Sequence, residues 1–395
     1  MLNLAIRKPS RQRIVIEKLH KMRSFMTKLL CAVVAPLVIV GTPAQAKPVI
    51  DCPLRDVPFS LESPLLDLML SERAKVIIAR QVPGFFEKMP ASLTNTDVPN
   101  FSAIMTLRQL LALAGLNGAD PASLDTALRA LPVTLADKRA RCSRYDDERP
   151  RFTQPPGYPR VLLFEKITGY RDTPSVLAAD KMFRELAEKN GWSLVVTDKA
   201  GVFHRSTLHR FDVVIWNNNS GDVLTIAQRK AFRNYVESGG GYVGIHGAAG
   251  DPAYFWDWYP DELIGARFVG HPSNPHFQDA KIAIESHEGG VGLGIDAQWT
   301  MNDEWYSFAS SPRLRGASIV ATIDEASYQP SGADKKETHL IMGADHPVAW
   351  TRAVGKGRSF YSAIGHRPET YDDLNYRRLL EQAVNWSARS AAPPP

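Results

Sequence analysis

From residue 160 onward, short apolar runs alternate with longer stretches of helical periodicity. The runs predict strands at 160–164, 192–197, 212–216, 242–245, 317–323 and 359–364, and the periodic stretches predict helices at 173–189, 225–238 and 373–387. Strands joined by helices of this length are typical of an α/β fold with a doubly wound parallel sheet. In such sheets, ligands bind beyond the carboxyl ends of the strands.

The chain before this region has a different pattern. Amphipathic runs at 64–82, 106–114 and 120–131 predict a small helical module over residues 47–144. A charged and then proline-rich linker at 145–158 leads into the α/β domain at 159–389, and a disordered tail is expected at 390–395. The module holds no cluster of histidines, acids or glycines, so we expect it to serve packing or docking.

The first 46 residues resemble a signal peptide. A basic lead precedes an apolar run at 29–40, and Ala44-Gln45-Ala46 fits a cleavage site. That run of about 12 residues is too short to span a bilayer. We therefore expect a periplasmic or secreted protein without a stable membrane anchor.

Removing that segment changes the charge and the cysteine count. The segment holds eight of the 47 Lys and Arg residues but one of the 42 acids, so the remainder is slightly acidic and nucleic-acid binding is not expected. Cys31 leaves with it. Cys52 and Cys142 remain, and an even pair in an exported protein predicts a disulfide that closes about 90 residues.

Residues 239–249, GGGYVGIHGAA, contain the most informative motif. A buried strand enters a tight turn of small residues, as in a nucleophile elbow. Glutamine amidotransferases and related hydrolases carry a Cys or Ser at that turn, whereas this chain carries His246. The position predicts a base or a metal ligand displayed at the sheet edge, and the alternative is a core histidine satisfied by backbone groups.

Six motifs occur in order along the α/β region. They are GYR at 169–171, the Asn-rich loop at 217–222, the elbow at 239–246, NDEWY at 302–306, GADHPVAW at 343–350 and AIGH at 363–366. With these motifs, residues 160–389 resemble the ThuA-like (trehalose utilisation) family. The resemblance implies a flavodoxin-like or class I glutamine amidotransferase-like fold. The first motif departs from the family at Asp172, where relatives usually carry His.

These motifs supply the candidate site residues. Asp303 and Glu304 are adjacent, so on a strand only one can face the pocket, and the other is expected to be solvated or paired with an Arg. His271 and His276 flank a proline-containing loop and are expected at the surface. The candidates for catalysis are His246, Glu304, Asp303 and Asp172; those for substrate binding are Arg171, Asn217, Trp256, Trp258, Tyr306, His346 and His366; and those for a divalent metal are His246, His366 and Glu304.

Several of these assignments have structural alternatives. The aromatic run at 254–259, with Trp216 and Trp305, could form a sugar-stacking pocket or a packed lid. His346 could belong to the site or cap a loop beside Asp345. The spacing of the metal candidates is scattered, and no compact ligand motif is present. A dinucleotide fingerprint and a P-loop are also missing from the sequence, so NAD and ATP are not expected.

Three functions remain open at this point. The resemblance implies an exported enzyme of carbohydrate catabolism, acting on a disaccharide or 3-keto-glycoside, and His246 with a carboxylate suits proton abstraction by an isomerase or lyase. The alternatives are a non-catalytic sugar-binding or scaffold protein and a metal-assisted hydrolase. The ligand would be a small carbohydrate, with a partner enzyme or a second copy of the chain as a further partner. Glutaminase activity is disfavoured, because neither remaining Cys lies near the elbow.

Overall fold

The computed structural model describes residues 48–113 and 120–389, which fall within one compact unit. The predicted signal peptide and tail, and the end of the predicted helix at residue 114, lie outside the described residues. Within the described ranges, no helix is both long and apolar enough to cross a membrane.

The α/β region is built on a nine-stranded sheet with two halves. The order is β2-β1-β3-β4-β11-β10-β9-β6-β7, in which the first five strands are parallel and the other four are antiparallel. A separate two-stranded sheet pairs β5 with β8. The strands are β1 Arg160–Phe164, β2 Ser193–Thr197, β3 Val213–Asn217, β4 Gly241–Ile245, β5 Phe268–Gly270, β6 Gln278–Ile284, β7 Gln298–Asp303, β8 Ser307–Phe308, β9 Ser318–Ile323, β10 Pro347–Val354 and β11 Gly357–Ser362.

The predicted α/β class is confirmed: the first half of the sheet is parallel, and antiparallel strands extend it into a mixed sheet. Strands β1, β3 and β4 are buried along their length and were predicted from continuous apolar runs. Strand β6 alternates buried and exposed positions, and Asp279 and Lys281 interrupt its apolar signal. Strands of this kind extend the sheet by hairpins and need no intervening helices.

Within the described residues, seven α-helices form the N-terminal module around a core of its own. Its buried side chains include Phe59, Ile78, Leu107 and Leu128. The helices are α1 Leu65–Met69, α2 Glu72–Gln81, α3 Phe85–Lys88, α4 Ala91–Thr94, α5 Leu107–Leu113, α6 Pro121–Arg129 and α7 Leu135–Cys142. The sheet region contains the helices α8 Thr173–Asn190, α9 Arg205–Leu208, α10 Ile226–Glu237 and α11 Leu374–Ser387.

The predicted disulfide between Cys52 and Cys142 is present, with the two Cα atoms 5.6 Å apart. It joins the beginning of the module to the end of α7. The linker that follows packs against the α/β region, because the Tyr145 hydroxyl donates to Asp222 at 2.9 Å. The first residue of the linker is therefore held in place by a buried contact.

The module is docked at the carboxyl edge of the parallel strands. The Asn100 amide donates to the Thr168 carbonyl at 3.1 Å, in the loop after β1. The Gln109 side chain donates to the Pro252 carbonyl at 2.7 Å, in the loop after β4. Both anchored loops lie where the topology places ligands, so the module covers that edge.

Candidate functional site

His246 occupies the elbow at the end of β4, in a short 3₁₀ turn. Its φ is +42°, a conformation that non-glycine residues rarely adopt and that is typical of functional turns. A Cβ at position 247 would lie 3.1 Å from the Asn218 carbonyl oxygen, so a larger residue there would require this backbone to shift by a few tenths of an ångström. The His246 ring lines a cavity, but it is only 3% exposed and stacks on Tyr306 at 4.1 Å. The expectation of a displayed, unburied side chain is thus wrong.

Glu304 lies at the centre of the site, with two histidines on each carboxylate oxygen. Its Oε2 is 3.1 Å from His246 Nε2 and 2.9 Å from His366 Nδ1. Its Oε1 is 3.2 Å from His271 Nε2 and also contacts His276 Nε2. The expectation that His271 and His276 are surface residues is wrong, because their loop folds back over the sheet edge and brings both rings onto Glu304.

Backbone carbonyls decide which ring nitrogens face Glu304. His246 Nδ1 is 2.7 Å from the Ala363 carbonyl, and His271 Nδ1 is 3.2 Å from the Pro272 carbonyl. Since a carbonyl only accepts hydrogen bonds, each Nδ1 carries the proton, and a neutral ring then presents an Nε2 lone pair to Glu304.

The electrostatics of the cluster centre on an anionic Glu304. Burial by itself would raise its pKa, but its contacts with His246, His276 and His366 hold the pKa well below its usual range. Burial opposes charge on His366, yet Glu304 outweighs that effect and raises its pKa. The hydrogen bond to Glu304 likewise raises the pKa of His276, whereas burial lowers the pKa of His271.

Asp303 points away from the cavity and holds the loop that carries His366. It is fully buried and accepts hydrogen bonds from the backbone amides of Gly365 and His366 at 2.8 and 3.0 Å. The Thr370 hydroxyl donates to it at 2.9 Å. The two neighbours do diverge as predicted, but Asp303 is neither solvated nor paired with an Arg side chain. Backbone amides of a tight loop satisfy it instead.

The cavity around Glu304 has a volume of about 390 Å³. Its floor is the His–Glu cluster, with Asp172, Asn218 and Tyr306 beside it. Asp172 Oδ2 lies 3.8 Å from His366 Nε2. The lining also has an apolar part, which comes partly from the helical module through Phe101, Ile104 and Met105.

Sequence reasoning missed this apolar wall. Phe101 stacks on Tyr170 with the ring centroids 4.8 Å apart, which joins the module to the GYR motif. The signal available in the sequence was weak, since three apolar residues at 101–105 also fit an ordinary helix-packing role. Only the docking of the module shows that they face a site.

Two of the predicted substrate-binding residues, Arg171 and Asn217, lie outside the cavity lining. Asn217 is fully buried and donates to Glu165 at 2.8 Å and to the Val176 carbonyl at 3.0 Å, so its neighbour Asn218 takes the lining position. The Arg171 guanidinium is 3.4 Å from the Glu165 carbonyl. The cavity is lined instead by Tyr170 of the GYR motif and by Asp172, which directly follows the motif.

His346 is a structural histidine. It is fully buried, with Nδ1 2.8 Å from Glu325 and Nε2 2.8 Å from the Tyr306 carbonyl. It supports the backbone of Tyr306 from behind and does not reach the cavity lining.

The aromatic run packs as a lid cluster on the sheet. Trp256 stacks on Trp258 at 4.9 Å, and the Arg229 guanidinium lies over the Trp256 ring at 5.3 Å. Trp216 stacks on Tyr259 at 4.9 Å. These rings, and the buried Trp305, lie outside the lining of the His–Glu cavity, so the expected sugar platform does not form there.

The donor geometry fits one divalent cation between His246, His366 and Glu304. The three facing atoms are 2.9, 3.1 and 3.1 Å apart. Ligands about 2.0–2.1 Å from Zn²⁺ lie about 2.9 to 3.4 Å apart, depending on the coordination angle. The distal nitrogen of His246 donates to a carbonyl, which is the usual outer contact of a metal-ligating histidine.

The fold and site define an α/β protein with a histidine–carboxylate pocket at the carboxyl edge of a mixed sheet. Residues 160–387 match the family model described as ThuA, trehalose utilisation. The chain belongs to this family. Among the described residues the elbow is a histidine, and both cysteines are joined in the disulfide, which leaves no thiol nucleophile.

A solved structure shares this fold, and a second one has a lower similarity to the chain. A ThuA-like protein from Bacteroides uniformis is 24% identical with a TM-score of 0.50, covering 61% of this chain and 95% of its own. A ThuA-like protein from Parabacteroides merdae is 16% identical with a TM-score of 0.45, covering 58% of this chain and 89% of its own. None of the curated proteins matches the sequence.

Proposed function

We propose that this protein is an exported enzyme that acts on a carbohydrate with the help of a divalent cation held by His246, His366 and Glu304. The carbohydrate class rests on membership of the trehalose utilisation family. The observation that carries the cation is the meeting of His246 Nε2, His366 Nδ1 and Glu304 Oε2 within 3.1 Å of one another.

A cation explains this arrangement better than hydrogen bonds alone. In the neutral ring of His246, Nδ1 donates its proton to the Ala363 carbonyl, so the Nε2 lone pair faces an anionic carboxylate at 3.1 Å. One added proton would form a hydrogen bond in only one of the three contacts between these atoms. A divalent ion would bind all three atoms at once, and imidazole with carboxylate is a suitable donor set for Zn²⁺ and similar ions.

The remaining residues have roles that follow from their positions. A bound cation would polarise a carbonyl or hydroxyl oxygen of the substrate or activate a water molecule. Asp172 borders the cavity beside His366 and is the candidate to accept a proton from the substrate. Tyr306, stacked on His246, keeps that ring in place and offers a wall to the sugar.

A cation-free acid–base enzyme is the second candidate. Glu304 raises the pKa of His366 and His276, which favours imidazolium–carboxylate pairs that could donate protons to a substrate. In that case His246, Glu304 and Asp172 would divide the proton transfers of an isomerase or lyase among themselves. A sugar-binding protein without turnover is the third alternative.

Export is supported by the segment before residue 47 and by the disulfide, because disulfides persist mainly in oxidising compartments. Expression in a bacterium, followed by fractionation and mass spectrometry, tests it. We expect a periplasmic chain that begins at Lys47 and has no free thiol. A full-length cytoplasmic chain with free thiols would contradict export.

The activity test uses the mature protein after chelation and dialysis. Glycosides and their 3-keto forms are offered with and without Zn²⁺, Mn²⁺ or Co²⁺. We expect turnover only after a cation is restored, and none in Glu304→Gln. Glu285→Gln, an exposed carboxylate paired with Arg313, is the matched control and should behave as wild type. Turnover by the chelated protein would favour the acid–base candidate, and binding without turnover would favour the sugar-binding protein.

A further inference from the structure

We propose that the cavity holds a second divalent cation, bound by His271, His276 and Glu304 Oε1, so that the Glu304 carboxylate bridges two metal ions. The inference rests on the proposed function for the first cation. It adds a site to that function and defines the substrate more narrowly.

The division of the four histidines around Glu304 carries the inference. Oε2 faces His246 and His366, and Oε1 faces His271 and His276. The facing atoms within each set of two histidines and Glu304 lie within 4.8 Å of one another. A carboxylate that offers one oxygen to each of two histidine pairs has the donor arrangement of a bridged two-metal centre.

Hydrogen bonding alone does not account for this crowding. His246 and His271 both direct Nδ1 to backbone carbonyls, so each can donate to Glu304 only as a cation. In the neutral tautomer that these contacts fix, both Nε2 lone pairs point towards Glu304. Cations bound to neutral rings give every facing nitrogen a partner.

The second histidine pair is held from outside the cavity. The His271 and His276 rings stack at 4.8 Å with an interplanar angle of 14°. Between them, the Ser273 amide and hydroxyl donate to Glu337 at 2.9 and 2.5 Å. The Ala333 amide donates to the Asn274 carbonyl at 2.7 Å. The loop thus has its own anchors, and the two imidazoles are positioned before any ligand enters.

A bridged centre specifies the kind of substrate. Two cations about 3.5–4 Å apart bind two oxygens of one substrate or clamp an oxygen between them. One bridging carboxylate balances little of their charge, so substrate oxygens and hydroxide would supply the remainder. The chemistry that fits is a vicinal diol or an α-hydroxyketone, both of which occur in sugars and keto-sugars.

The experiment measures metal stoichiometry in the mature protein. Chelated protein is titrated with Mn²⁺, bound metal is counted by mass spectrometry, and electron paramagnetic resonance reports coupling between the ions. We expect two equivalents with a coupled spectrum in wild type. His271→Ala/His276→Ala should bind one equivalent and give an uncoupled spectrum. His209→Ala/His339→Ala removes two exposed histidines elsewhere and should keep both ions.

The outcomes separate the two proposals. One equivalent in wild type, or two equivalents that persist without coupling changes in His271→Ala/His276→Ala, would overturn the second site and leave the first intact. No bound metal would overturn both. Should the alanine pair fail to fold in a thermal melt, His271→Gln/His276→Gln keeps the polar volume. It should likewise lose one equivalent, and retention of both ions and their coupling would overturn the proposal.

Discussion

The Nδ1 atom of His246 donates to the carbonyl oxygen of Ala363 at 2.7 Å, and this contact decides which nitrogen faces the cavity. Ala363 directly follows β11, the parallel neighbour of β4 in the sheet. The orientation of the elbow imidazole is therefore set by the pairing of two strands that are far apart in sequence.

Replacement of His246 should remove function with a moderate loss of stability. The ring is a proposed ligand or base, so His246→Ala should lower turnover by roughly 10²–10⁴. Its burial against Tyr306 sets the expected destabilisation at about 1–3 kcal/mol. A turnover assay beside a denaturant melt checks both values, with His209→Ala as the control. Unchanged turnover with a large drop in melting temperature would identify a purely structural histidine.

Asp303→Asn should weaken the loop that carries His366 without replacing a residue that lines the cavity. One carboxylate oxygen of Asp303 accepts from Gly365 and Thr370, and the other from the backbone amides of Glu304, His366 and Arg367. An amide NH₂ cannot accept, so at least one backbone donor would be left unpaired, which costs about 1–3 kcal/mol. We expect lower stability, weaker cation binding and a lower kcat, measured by denaturant unfolding, metal titration and kinetics. Normal cation affinity in a folded variant would show that the loop holds its shape without this carboxylate.

The buried carboxyl of Asp251 should make the protein less stable as pH rises. Burial raises its pKa to about 7, although Ser220 and Gly221 donate to it at 2.6 and 2.7 Å. Between about pH 4 and 7, the folded state therefore keeps a proton on Asp251 that the unfolded state has already released. The contribution of Asp251 to the free energy of unfolding is fully present below about pH 4. It decreases as the pH rises through 7, by up to about 4 kcal/mol.

Asp251→Asn removes that titration and isolates it from all other groups. Melting temperatures of both proteins are compared at pH 5 and pH 8. The drop on going to pH 8 should be smaller in the variant by several degrees, since the amide stays neutral. Equal drops in the two proteins would mean that Asp251 titrates normally.

The module wall should select ligands by their apolar part. Phe101 and Met105 line the same cavity as the His–Glu cluster. Phe101→Ala/Met105→Ala should weaken binding of alkyl or aryl glycosides several-fold more than binding of unsubstituted sugars, because apolar contact area is lost. Val76→Ala, on the exposed side of the same module, is the control. Equal losses for both ligand classes, measured by calorimetry, would contradict a selective wall.

Much of the parallel half of the fold was predictable. Strands β1, β3 and β4 are buried on both faces, so their apolar runs stand out against the helices between them. The small residues around His246 likewise predict a sharp turn, and the two cysteines outside the predicted signal peptide had only each other as partners. These features depend on local sequence or on simple counting.

The content of the site was decided by tertiary structure. His271 and His276 lie on a loop of the antiparallel half, and Glu304 meets them only because β6 and β7 pair in register beside it. The reverse holds for Trp256, Asn217 and His346, whose residue types suggested binding but which pack elsewhere. Local periodicity indicates which face of an element is apolar. It does not specify which loops converge, because that depends on strand order and on the docking of the module, and both are set by contacts between distant residues.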